Sequence, residues 1–199
     1  MLRYAETDTA PQTEALTMRV ISGLYKGRIL KTVPNLSVRP ATDRVKQTLF
    51  DMLTTRIEFD GARVLDLFAG SGGLGIEALS RGASHVTFVE QERNAVEYLE
   101  QNLRTIGCER NASVIRRDAK LFLAHCSDTF DIVFADPPYA YDSTSQIPEL
   151  IFGSSILAPR GYLLIEHSKD LRFEASPSYR VGSEKKFGRT RVTFFQHQP

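Results

Sequence analysis

The sequence predicts an open, doubly wound α/β sheet of mostly parallel strands, and three observations predict it. From Val64 onward, short apolar runs of strand length alternate with segments of helical period, the order that builds a parallel sheet with helices on both faces. The run Val64, Leu65, Leu67 and Phe68 is almost continuously apolar, as a strand covered on both faces requires. It leads directly into Gly70, Gly72, Gly73 and Gly75, where Gly70, Gly72 and Gly75 satisfy G-x-G-x-x-G at the start of a helix. Such a loop lets a ligand approach main-chain N–H groups closely.

In chain order, residues 1–17 are polar and aperiodic and contain Pro11, which predicts a disordered or loosely attached tail. Met18–Ser22 and Arg28–Val33 are β-prone runs around Gly23 to Gly27, a hairpin with Tyr25, Lys26 and Arg28 near its tip. Thr42 or Asp43 caps a helix with Val45, Leu49, Met52 and Leu53 on one face. After the central strand and its helix, strands are predicted at His85–Val89, Ala112–Arg116, Asp131–Ala135 and Tyr162–Glu166. A helix with Ala95, Tyr98, Leu99 and Leu103 on one face precedes Gly107. Tyr179–Glu184 and Val192–Phe195 are the last two strands, linked through the basic stretch Lys185 to Arg191. The organisation expected is a tail (1–17), a hairpin and helix (18–56) and a catalytic α/β domain (57–199).

Composition narrows the function. No apolar run reaches the length of a membrane span and the first residues lack the order of a secretory signal, so a cytoplasmic protein without membrane contact is expected. Cys108 and Cys126 are too few for a disulfide framework, and the four histidines show no ligand spacing, so no metal is expected. Net charge is +1 but uneven. Between Arg19 and Lys46 seven basic residues face one acid, and between Lys169 and Arg191 seven face three, whereas Gln47–Ser168 carries ten basic and seventeen acidic residues. An acidic centre with basic flanks suits a polyanion entering from one side.

Asp66, Glu90, Asp118 and Asp136 each fall at or near the end of a successive predicted strand, where open α/β sheets bind ligands. A carboxylate beside the glycine loop is unfavourable for a pyrophosphate and favourable for S-adenosylmethionine, which carries an ammonium and a sulfonium. Asp66 is accordingly assigned to the methionine amino end, Glu90 to the ribose hydroxyls and Asp118 to the adenine amine; Asp118 could instead serve only as a helix N-cap. The candidate cofactor set is Asp66, Phe68, Ala69, Gly70, Ser71, Gly72, Glu90, Gln91, Asp118, Ala119 and Asp136.

Asp136-Pro137-Pro138-Tyr139 is the second strong signal. Paired prolines fix φ, donate no N–H and leave carbonyl acceptors at a strand end. A planar exocyclic amine is a poor nucleophile because its lone pair is delocalised. Hydrogen bonds accepted by the Asp136 carboxylate and the Pro137 carbonyl would hold both amine hydrogens and favour pyramidalisation. Tyr139 offers a face for an unstacked base.

With these residues assembled, the sequence resembles the class I S-adenosylmethionine-dependent methyltransferases, and among them the RsmD family. The resemblance rests on MRVISGLYKGRIL, RPATDRVKQTLFDML, LDLFAGSGGLGIEALSRGA, FVEQERNAV, DPPY and KKFGRTRVTFF. It implies a Rossmann-like, mostly parallel seven-stranded sheet with a C-terminal antiparallel strand, and methyl transfer to the exocyclic N2 of a guanine in 16S ribosomal RNA. It further implies a small-subunit particle or assembly intermediate as substrate, and a monomeric enzyme. By the same resemblance Arg39, Pro40, Thr42 and Arg44 lie over cofactor and base, and the hairpin residues Tyr25, Lys26 and Arg28 contact RNA. The family often has threonine where this chain has Ala41. Other readings are amino methylation of DNA adenine or of a protein glutamine, which use a similar motif. An NAD-linked oxidoreductase would leave DPPY unexplained, and a non-catalytic RNA-binding module would leave the acids without a task.

Overall fold

The computed structural model describes residues 18–33, 43–174 and 176–199. The tail expected over 1–17, and Arg39, Pro40, Ala41 and Thr42, lie outside the described residues. A two-stranded ladder, β1 (Met18–Arg19) and β2 (Ile29–Leu30), precedes helix α1 (Asp43–Thr54). There follow β3 (Arg63–Asp66), α2 (Gly73–Ser80), β4 (His85–Glu90), α3 (Arg93–Ile106), β5 (Ala112–Arg116), α4 (Ala119–Leu123), β6 (Phe130–Ala135) and α5 (Ile147–Phe152). The chain closes with β7 (Leu157–Ser168), β8 (Tyr179–Phe187) and β9 (Thr190–His197).

The seven strands β3 to β9 form one sheet in the order β5-β4-β3-β6-β7-β9-β8. β3 pairs in parallel with β4 and β6, β4 with β5, and β6 with β7; β9 alone runs against its neighbours β7 and β8. This is the predicted sheet with its C-terminal antiparallel strand. Strand order turns back at β3 and β6, so their carboxyl ends form the crevice where doubly wound sheets hold ligands. Alternate strand residues build two cores. Val64, Val86, Phe88 and Phe134 pack beneath the hairpin and α1 to α3, while Leu65, Leu67, Val133 and Ile165 pack beneath α4 and α5.

Two elements differ from expectation for readable reasons. The hairpin ladder is shorter than predicted because its polar groups are taken by helices: Ile21 and Ser22 N–H donate to Glu77, and Lys31 N–H donates to Asn102. β7 begins five residues earlier than predicted, at Leu157. Pro159 and Gly161 look like a strand break, but the register jumps from Phe130↔Leu157 to Ile132↔Tyr162, and the irregularity carries the extra residues.

Candidate active site

The glycine loop is shaped by the acids around it. Glu90, at the end of β4, accepts from Gly70 N–H at 2.8 Å through one oxygen and from Glu92 N–H at 2.9 Å through the other. Asp66, at the end of β3, accepts from Gly75 N–H at 2.9 Å. Gly70 and Gly72 have φ of +53° and +90°, the left-handed region that favours glycine. Gly75 serves a different purpose: a Cβ there would stand 2.2 Å from Phe88 Cε1, so its absence lets α2 lie directly on β4. Asp118 Oδ1 caps α4 by accepting from Leu121 N–H at 3.0 Å. The N-cap alternative is therefore real, and Asp118 caps the helix while also lining the cavity over the strand ends.

A cavity of about 360 Å³ opens over these strand ends. Of the predicted cofactor set, it is lined by Asp66, Phe68, Ala69, Gly70, Ser71, Glu90, Gln91, Asp118, Ala119 and Asp136. Gly72 is not brought to it; a Cβ at Gly72 would instead meet Leu99 Cδ1 at 2.4 Å, so this glycine lets α3 approach the loop. Burial pushes the Asp66 carboxyl up to about 7, with the negative charge of Glu90 adding to the rise and the Gly75 N–H opposing it. Asp66 is 2% exposed and takes one protein hydrogen bond, far fewer than a carboxylate can accept.

A second cavity, of about 220 Å³, lies on the other side of the DPPY segment. Asp136 and Pro138 line both cavities, while Pro137 and Tyr139 face only the second. Tyr139 is 68% exposed at its mouth. Tyr141 of the second cavity meets Phe68 of the first edge-on, 5.0 Å between ring centroids. The Asp136 carboxyl is pushed well above its ordinary value by burial, then by the charges of Glu166 and Asp66. Glu166 also lines the second cavity and is itself pushed up by burial. Glu166 ends the fifth predicted strand, so it bears the same sequence signal as the four assigned acids, yet it has no role in the sequence-based assignment. The neighbouring His167 is buried, its Nε2 2.7 Å from Thr193 Oγ1 and its Nδ1 2.9 Å from the Ser168 carbonyl. It holds β7 to β9.

The N-terminal elements wall the first cavity at one end and are anchored at the other. Met18, Thr32, Val33 and Lys46 line the cavity. The hairpin tip docks on the far end of α2, where Leu24 N–H donates to the Ser80 carbonyl at 2.7 Å and Tyr25 N–H to Ser80 Oγ at 2.9 Å. Glu77, fully buried, accepts from Ile21, Ser22 and Arg81 Nε and lies 3.8 Å from Lys46 Nζ, which donates to the Arg19 carbonyl at 2.6 Å. Asn102 of α3 ties Lys31 to the Ser71 carbonyl of the glycine loop. Of the candidate RNA residues, Lys26, Arg28 and Arg44 are exposed and Tyr25 is half-buried; none lines either cavity. Arg39 and Thr42 lie outside the described residues. The end of β8 and the turn to β9, with Lys185, Lys186 and Arg189 exposed, run beside the second cavity through Thr190.

These residues fit S-adenosylmethionine. Asp66 is a buried, under-satisfied acid that a cationic ligand group meets favourably; of the two basic residues lining the cavity, Lys46 is engaged by Glu77 and the Arg19 carbonyl, and Arg117 stands exposed after β5. Among the described residues no His, Cys, Asp or Glu cluster suits a metal ion, and no helix is long and apolar enough to cross a membrane.

Fold and site together define a class I methyltransferase. The family model described as "Conserved hypothetical protein 95" matches residues 18–196, and the chain belongs to that family, the RsmD family. It is 36% identical over 183 residues to ribosomal RNA small subunit methyltransferase D of Haemophilus influenzae, covering 90% of this chain and 94% of that one. Identity to the Escherichia coli K12 protein of the same name is 34% over 182 residues, covering 91% and 90%. The solved structure of Escherichia coli yhhF superposes with a TM-score of 0.80 at 34% identity, covering 92% of this chain and 98% of that one.

Proposed function

We propose that this protein is an S-adenosylmethionine-dependent ribosomal RNA methyltransferase acting on the exocyclic N2 of a guanine in 16S RNA, within the small subunit or an assembly intermediate. The observation that carries the reading is the wall shared by the two cavities: Asp136 and Pro138 face both a cofactor-sized chamber and a second chamber open at Tyr139. The names of the 34–36% identical relatives support ribosomal RNA as substrate.

When bound, S-adenosylmethionine supplies a methyl group on a cationic sulfur, which departs as a neutral thioether. Asp66 faces the amino end, Glu90 the ribose and Asp118 the adenine. Positive charge in the first chamber returns Asp136 toward its carboxylate form. Asp136 and the Pro137 carbonyl then accept the two amine hydrogens and aim the nitrogen lone pair at the shared wall, so positioning supplies most of the rate. The proton lost when the N–C bond forms passes to Asp136, whose raised affinity for protons makes it a better base than an ordinary carboxylate. Tyr139 stacks on the unstacked base, as aromatic side chains do at single-stranded nucleic acids. The basic β8–β9 turn beside the second cavity holds nearby phosphates. Residues 18–56, with Lys26, Arg28, Arg39, Thr42 and Arg44, form the RNA-facing part, and 57–199 the catalytic part. The enzyme acts as a monomer in the cytoplasm.

The test is methyl transfer from labelled S-adenosylmethionine to small subunits lacking the modification, with nuclease mapping of the labelled nucleotide. Label on guanine N2 is expected, and Asp136→Ala lowers turnover on the order of 100-fold or more while still binding cofactor. Label on another nucleotide, or none on RNA, sinks the reading.

A further inference from the structure

Glu166 lies in β7 two residues before its end at Ser168, and the proposed mechanism gives it no task. Ala135 pairs with Ile165 across β6 and β7. Continuing that parallel register sets Asp136 and Glu166 side by side, on strands about 4.8 Å apart, and both face the second cavity. Glu166 is the foremost charge acting on the Asp136 carboxyl, and the Thr190 hydroxyl hydrogen-bonds to Glu166. Two neighbouring acids of this kind repel unless hydrogen-bond donors stand before them. No lysine or arginine lines the cavity, and both nitrogens of the His167 ring are engaged elsewhere. Beyond the Thr190 hydroxyl, a substrate that presents N–H groups supplies the donors these two acids suit.

We propose that Glu166 accepts the ring N–H adjoining the amine held by Asp136 and Pro137, and thereby selects guanine. This rests on the guanine reading above. With both amine hydrogens accepted by Asp136 and the Pro137 carbonyl, N1–H of guanine is the donor left over on that edge, and Glu166 is the acceptor beside Asp136. The other amines that a D-P-P-Y segment could serve present the opposite group there. Adenine places the N1 lone pair next to its amine, cytosine the N3 lone pair, and a glutamine amide its carbonyl oxygen. Each would set an acceptor against a carboxylate, leaving buried polar groups unpaired. Glu166 is thus a specificity-determining residue and takes no part in moving the methyl group.

The probe is 2-aminopurine in place of the mapped target guanine in reconstituted small subunits, since it keeps the amine at C2 but carries a lone pair at N1. Wild-type protein is expected to prefer guanine by about tenfold or more in kcat/KM, the usual cost of an unmet buried hydrogen bond. Glu166→Gln, nearly isosteric and able to donate from its amide, is expected to shrink that ratio about tenfold or more, with cofactor affinity unchanged. A purely structural role would lower both substrates equally and leave the ratio alone. An unchanged ratio in the variant, or wild-type rates within about twofold of each other, overturns the role of Glu166 and leaves the guanine reading intact. Absence of methyl transfer to guanine by the wild-type protein overturns both. If the variant fails to bind cofactor, the wild-type comparison alone decides.

Discussion

Asp66 shows how one side chain joins sequence, burial and ligand charge. Its place at a strand end before a glycine loop is visible in the sequence; its near-complete burial, which lifts it to about 7 against the opposing Gly75 N–H, is not. Because the ionised form meets a cation, protonation competes with binding. Cofactor affinity measured by calorimetry should be flat above about pH 8 and fall toward tenfold per pH unit below about pH 7. In Asp66→Asn that dependence should shrink to the part due to Asp136, and affinity at about pH 8 should drop roughly tenfold or more; a profile as steep as the wild type's would take the role away from Asp66. Glu166 marks the limit of legibility at this scale. The strand-end rule singles it out, but only the β6–β7 register sets it beside Asp136.

At the scale of elements, the strands and the longer helices were legible because each has its own period, whereas the six-residue α5 (Ile147–Phe152) is too short to show one and was not anticipated. The docking of the hairpin was not legible either, since it is made by residues far apart in sequence. Glu77 reads as an ordinary polar position on α2, yet it gathers two hairpin N–H groups, Arg81 and, at 3.8 Å, Lys46. The side chains of Lys46 and Glu77 are 1% and 0% exposed. Removing one member of such a pair strands the other charge in the interior. Glu77→Ala should therefore cost about 3–5 kcal/mol in urea unfolding, whereas an exposed pair such as Arg93–Glu97 should cost under about 1 kcal/mol when broken. A loss below 1 kcal/mol at Glu77 would show that the network is not what fastens the hairpin.

Across the whole molecule, three acids gathered at the strand ends, Asp66, Asp136 and Glu166, hold protons more tightly folded than unfolded. Their contribution to stability is complete below about pH 4, where the unfolded chain is also protonated, and is lost as pH rises through the folded values, about 7 for Asp66. His167 works the other way: burial lowers it, so its contribution is present above about 6.5 and lost as pH falls through its folded value. With three groups against one, Tm of the ligand-free protein should fall by roughly 5–10 °C between about pH 5.5 and 8. Cofactor should raise Tm most at the upper end; protection that is equal at both ends would contradict the assigned charge pairing. The acid-rich centre and basic flanks could be counted in the sequence, but which strand ends share a wall depends on topology. The first chamber is built mainly on the β3–β4–β5 side of the sheet and the second on the β6–β7–β9 side, with Asp136 and Pro138 on the boundary. A lineage can therefore keep the methyl-donor half fixed as an inheritance and change what is modified by editing the other half, one loop or strand end at a time.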